Sequence, residues 1–134
     1  MHIVVTWENA TKTVIRVQVT DSAWTIDDMR DAFLTAWNLT QTVDQRVNMI
    51  LDMRASNKVP TGFLALMRWG VPNRPKNAGD LVVLGGSLLM EIIHSVVHQS
   101  YVGLINIDYR VIFANSLEDE AVRQIIGDCK ESFQ

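Results

Sequence analysis

Short β-branched segments alternate with helix-length amphipathic spans along this chain, and that order limits the possible folds more than any other feature. Ile3 to Trp7 and Thr13 to Val19 are rich in β-branched residues, with the polar turn Glu8-Asn9-Ala10-Thr11-Lys12 between them. In the second segment Ile15, Val17 and Val19 alternate with Arg16, Gln18 and Thr20, the period of a strand with one wet face. The two read as a β-hairpin closed by Asp21-Ser22. Thr25 then reads as a helix N-cap, with Asp27 and Asp28 in the first turn, where they complement the helix dipole. Ile26, Met29, Phe33, Ala36, Trp37 and Thr40 form an apolar stripe over about four turns, with Arg30, Asp31 and Thr35 on the other face.

Val47 to Met53 is apolar apart from Asn48 and Asp52, and reads as a central strand. Pro60 suits the start of a helix, where its missing N–H loses no partner. Phe63, Leu64, Met67 and Trp69 are expected to pack inward, and Gly70, Pro72 and Pro75 to end that helix and open a loop through Ala78. Asp80 to Leu84 reads as a strand stopped by Gly85-Gly86. Ser87 would cap a helix running to Tyr101, with Leu89, Ile92, Ile93, Val96 and Val97 on its core side. Tyr109 to Ala114 is a further strand, and Ser116 with Asp119 resembles a capping box opening a last helix. The predicted order is β-β-α-β-α-β-α-β-α. It describes an α/β fold with a mixed, mostly parallel five-stranded sheet, an N-terminal hairpin and four helices.

At 134 residues the chain is expected to be one domain, 1–134, around one core. Its net charge of −3 gives no global pull toward nucleic acid, and no apolar run approaches a bilayer span. Met1-His2-Ile3-Val4-Val5 lacks the basic start of a secretion signal, and Cys129, the single cysteine, has no internal disulfide partner. Both point to the cytoplasm. Asn9-Ala10-Thr11 and Asn38-Leu39-Thr40 match the glycosylation sequon, and in that setting are chance matches.

The hairpin, the acidic strand end Ile50-Leu51-Asp52 and the stretch Phe113-Ala114-Asn115-Ser116-Leu117-Glu118-Asp119-Glu120-Ala121 carry a resemblance over nearly the whole length. The chain resembles the STAS domain, the SpoIIAA-like fold of anti-sigma-factor antagonists. That resemblance implies a non-enzymatic regulatory module that docks on a protein partner. Typical members carry Asp-Ser-Ser-Gly after the strand and are phosphorylated on a serine at the helix start. Here the matching residues are Val59-Pro60-Thr61-Gly62, which puts Thr61 at the position of the phosphosite and replaces the aspartate and first serine. The similar fold of CRAL-TRIO lipid-binding proteins implies an alternative, a small anionic or lipid-like ligand.

The residues themselves single out the turn from Asp52 to Gly62. Ligands of open α/β sheets bind beyond the carboxyl ends of the strands, and a helix start offers free N–H groups. Between Asp52 and Asp80 stand Arg54, Lys58, Arg68, Arg74 and Lys76 with no acidic residue, which leaves −8 for the rest of the chain. The candidate binding residues are therefore Asp52, Arg54, Lys58, Thr61, Gly62 and Arg68, as a docking patch for an acidic partner or as the mouth of a ligand pocket. Asp52 and Arg54 are expected to pair rather than to catalyse. Homodimer formation stays open.

Other constellations carry less. Glu91-x-x-His94-x-x-x-His98 lies on one helix side, but a metal centre needs further ligands, and the remaining histidine is His2. Cys129 falls on an apolar stripe, Gly85-Gly86-Ser87 lacks the lysine of a phosphate loop, and no Gly-x-Ser-x-Gly elbow occurs. No catalytic residue, metal or cofactor is expected. Trp7, Trp24, Trp37 and Trp69 are read as core, with exposure of Trp24 or Trp69 as the sign of a contact surface. A partner module predicts a flat, tryptophan-lined basic surface; a ligand binder predicts an apolar pocket.

Overall fold

The computed structural model describes residues 2–56, 62–85, 95, 110–116, 118, 123 and 124. It begins with the expected hairpin, β1 (Ile3–Trp7) antiparallel to β2 (Val14–Val19), in a register that sets Ile3 opposite Val19 and Trp7 opposite Ile15. Asn9 organises the turn. Its buried Oδ1 accepts from the backbone N–H of Thr13 at 3.0 Å and of Val14 at 3.2 Å, and its Nδ2 donates to the hydroxyls of Thr11 and Thr13. Lys12 takes the left-handed φ of 57° that closes the loop.

Helix α1 (Ile26–Thr40) starts where the capping residue placed it. Thr25 Oγ1 accepts from the Asp28 N–H at 3.1 Å, and Asp28 Oδ2 accepts from the Thr25 N–H at 2.8 Å, a reciprocal capping box. Met29, Phe33, Ala36, Trp37 and Thr40 of the stripe are buried, and Ile26 packs against the core more loosely. At the far end the Asn77 Nδ2 lies 2.8–3.0 Å from the carbonyl oxygens of Thr40, Val43 and Gln45, so a side chain from another loop binds the last helical carbonyl and two carbonyls of the loop that follows it.

Strand β3 (Val47–Asp52) lies parallel to β2 on one side and to β4 (Ala78–Leu84) on the other, and β5 (Val111–Ala114) lies parallel to β4. The sheet order β1-β2-β3-β4-β5 follows the chain. The architecture is thus α/β with a five-stranded mixed sheet, one antiparallel pair and two described helices. The two further predicted helices fall largely outside the described residues, as do Tyr109, Cys129 and the Glu91/His94/His98 set; Ser95, Arg123 and Gln124 are helical within those spans.

Helix α2 (Phe63–Asn73) departs from the sequence reading at both ends. Its N-cap is Gly62, at φ 96°, so the helix begins three residues after the start expected at Pro60, and the cap offers no side chain. It also runs through Gly70 and Pro72 to Asn73. The stop comes from Pro75, which disfavours helical backbone at the residue before it, and Arg74 is extended at φ −64°, ψ 140°. Asn73 helps the last turn by donating its Nδ2 to the Trp69 carbonyl. Among the described side chains of this helix, which exclude Phe63, Leu66 and Val71 are the most buried, whereas Leu64, Met67 and Trp69 are half-buried.

Both helices pack on one face of the sheet, against Ile15, Val17, Val19, Val47, Leu51 and Val83. The other face alternates with it. There Val14, Ile50, Val82 and Leu84 make a second apolar cluster, beside the polar Arg16, Gln18, Asn48, Asp52 and Asp80.

Candidate functional site

Asp52 ends β3 with its side chain almost fully buried, 4% exposed, on the face away from α1 and α2. Arg54, just past the strand end, reaches back to it: Nε lies 3.0 Å from Oδ1, Nη2 lies 2.8 Å from Oδ2, and the Arg54 backbone N–H donates to Oδ1 at 3.1 Å. Arg16 on β2 adds its Nη1 at 3.2 Å from Oδ2 and pairs through Nε and Nη2 with Glu8. Burial pushes the Asp52 carboxyl up, but the Arg54 hydrogen bonds and the charges of Arg54 and Arg16 outweigh it and hold the group below its ordinary range. The hydrogen bonds to Glu8 raise Arg16 despite its burial. An aspartate kept ionised, with both oxygens engaged, suits bracing rather than proton transfer. Gly85 belongs to the same corner. It adopts φ 71°, and a Cβ there would come within 2.9 Å of Arg54 Cγ and 3.0 Å of its Cα.

A matching clamp stands at the opposite, amino end of the parallel strands. Asp80 accepts from the Arg110 N–H at 2.8 Å, from Arg110 Nη2 at 3.1 Å and from Arg46 Nη2 at 3.2 Å. Its own N–H donates to Asn48 Oδ1 at 2.8 Å. Burial raises this carboxyl too, and the bonds from Arg110 with the charges of Arg110 and Arg46 more than reverse the effect.

Above this end, on the helical face, a half-open cleft of about 70 Å³ lies between α1, α2 and the sheet. Phe33, Trp37 and Thr40 line it from α1, and Leu66, Met67, Gly70 and Val71 from α2. Val47, Met49, Leu81 and Val111 form its floor, with Arg74, Asn48 and Asp80 as its polar margin. Phe33 and Trp37 stack at 5.9 Å, and Trp69 leans on Trp37 at 5.4 Å. The Arg30 guanidinium sits 5.8 Å from the centre of the Trp69 ring. Arg74 Nη2 donates to the carbonyls of Ala78 and Gly79, which fixes the loop at the cleft mouth.

Of the residues singled out in the sequence, Asp52 and Arg54 are brought together, although the strand ends before Arg54. Gly62 starts α2 and Arg68 stands on its exposed side. Lys58 and Thr61 lie outside the described residues. Arg16, Glu8 and the Asp80 clamp were not foreseen. The alternation of β2 marked Arg16 as a polar-face residue, but nothing local named its partners. Trp24 is fully buried, with its Nε1 donating to Ser56 Oγ at 2.8 Å, and so belongs to the core. No group of metal-ligating side chains occurs among the described residues, and no described helix is long and apolar enough to cross a membrane.

No known family model, curated protein or solved structure matches this chain.

Proposed function

We propose that this chain is a non-enzymatic, cytoplasmic binding protein whose ligand is a small molecule with an apolar body and an anionic head. The cleft beneath α2 carries the reading. Protein interiors are close-packed, with few voids larger than a water, whereas this cleft is several times the space one water needs. Its walls are aromatic, aliphatic and thioether side chains, the usual lining of a small-molecule site. Charge at its margin supports the anionic head: Arg74 lines the cleft, and Arg46 and Arg110, both paired with Asp80, stand beside it.

The cleft runs along the second half of α2 and the amino ends of β3 and β4, not at the helix start where the sequence placed a pocket. The partner-docking reading, with Thr61 as a phosphosite, ranks below it, since Trp24 and Trp37 are buried and Trp69 is half covered. The STAS-like resemblance remains part of the proposal. The hairpin, the acidic end of β3 and the turn in which Ser116 Oγ accepts from the Glu118 N–H at 3.1 Å support it.

Calorimetric titration with octanoate and with octanol tests the reading. Octanoate is expected to bind saturably, more tightly than octanol, and to lose that binding in Met67→Trp, which fills the cleft. Equal affinities would remove the anionic head from the proposal, and no saturable binding of either probe would overturn it.

A further inference from the structure

Among the described glycines, three have an evident reason to be glycine. Gly62 and Gly85 adopt left-handed φ values of 96° and 71°. At Gly79 an added Cβ would collide with Asn48 Oδ1 and lie 2.8 Å from Arg46 Nε. Gly70 has neither reason. It lies inside α2 with no positive φ, and among the described residues outside its own helix a Cβ built on it would meet Trp37 Cη2 alone, at 3.7 Å, ordinary van der Waals contact. Glycine inside a helix is markedly less favourable than alanine. Position 70 therefore forgoes helix stability that its surroundings would allow it to have.

Gly70 also lines the cleft, facing Trp37 of α1. We infer that Gly70 is a specificity-determining position: its missing methyl group keeps open the part of the cleft beside Trp37, and so sets how large an apolar body the cleft admits. This inference rests on the ligand-binding reading above. The ligand would place apolar atoms beside the Trp37 ring edge, where a methyl on residue 70 would stand. Trp37 is a fixed wall for such contact, since it is 8% exposed and held between Phe33 and Trp69.

Gly70→Ala separates this role from a purely structural one, because the two readouts move in opposite directions. The melting temperature of the full chain is expected to rise by about 3 °C, from the helix preference of alanine. The affinity for octanoate is expected to fall about tenfold, the scale of one misplaced methyl group in an apolar pocket. A variant that binds octanoate as tightly as the wild type, while Met67→Trp abolishes binding, overturns the role of Gly70 and leaves the cleft as the ligand site. A lowered melting temperature overturns it as well, since alanine would then not be accommodated. A wild type that binds no octanoate removes both readings together.

Discussion

Arg54 Nη2 lies 2.8 Å from Asp52 Oδ2, across a single intervening residue, and the same oxygen receives Arg16 Nη1 from the neighbouring strand at 3.2 Å. The carboxylate is buried while Arg54 is 44% exposed, so the two partners contribute unequally. Asp52→Ala is expected to destabilise the chain by about 2 kcal/mol, because the half-buried Arg16 would keep only Glu8. Arg54→Ala is expected to cost about 0.5 kcal/mol, as solvent screens an exposed partner. Urea denaturation at neutral pH gives both numbers, and equal losses would show that the carboxylate is not the centre of the network.

Acid should expose the two clamps. Asp52 and Asp80 both have carboxyls held below the ordinary aspartate value of 3.8. A depressed folded-state value contributes stability that is fully present above the unfolded value and is lost as pH falls through the folded one. The urea midpoint is therefore expected to hold down to about pH 4 and to fall below it. The double variant Asp52→Asn, Asp80→Asn should start lower and show a flatter acid limb. A double variant that loses as much on acidification as the wild type would assign the acid sensitivity to other groups.

Asn77 ties the end of α1 to the loop before β4 through one amide nitrogen shared among three carbonyls. Asn77→Ala is expected to cost about 1.5 kcal/mol through those lost bonds. Asn77→Asp should cost more, since it places a carboxylate oxygen among carbonyl oxygens. Thermal melts of the two variants check the order, and an aspartate variant as stable as the alanine one would mean that the loop simply turns away.

Gly79→Ala should destabilise by about 2 kcal/mol, because the new methyl displaces Asn48 Oδ1 from the Asp80 N–H and crowds Arg46. Its effect is opposite in sign to that of Gly70→Ala, nine residues away. A neutral result in chemical denaturation would show that the Asn48 side chain can move aside.

The hairpin, α1 and the strand sequence were readable because their signals are local: a period of two, a period of 3.6, a capping threonine. Element ends were less readable. β4 starts at Ala78, because Ala78 pairs with Val47, a contact that a glycine and a turn-rich loop conceal. α2 passes Gly70 and Pro72, because backbone preference at the residue before Pro75 decides the stop. The Asp52–Arg54 pair was visible from spacing. Its third member, Arg16, is 36 residues away from Asp52, and Arg110 is 30 from Asp80, so only the strand order brings them together. The cleft was the least readable feature. It is space left between two helices and three strands, and no single segment encodes it.

The two clamps have a further consequence for strand alignment. Alternating side chains forbid a one-residue slip between strands, which would turn apolar residues outward, but they are blind to a slip of two, about 7 Å, which restores the alternation. The carboxylates are not blind to it. A two-residue shift of β3 against β2 would draw Asp52 away from Arg16, and the same shift of β4 against its neighbours would strand Asp80 without Arg46 and Arg110. A misaligned β4 would bury a bare charge, and a misaligned β3 would leave the buried Asp52 with Arg54 as its sole cation of the present pair. The charged pairs thereby act as a vernier on a sheet whose greasy pattern sets only the coarse scale.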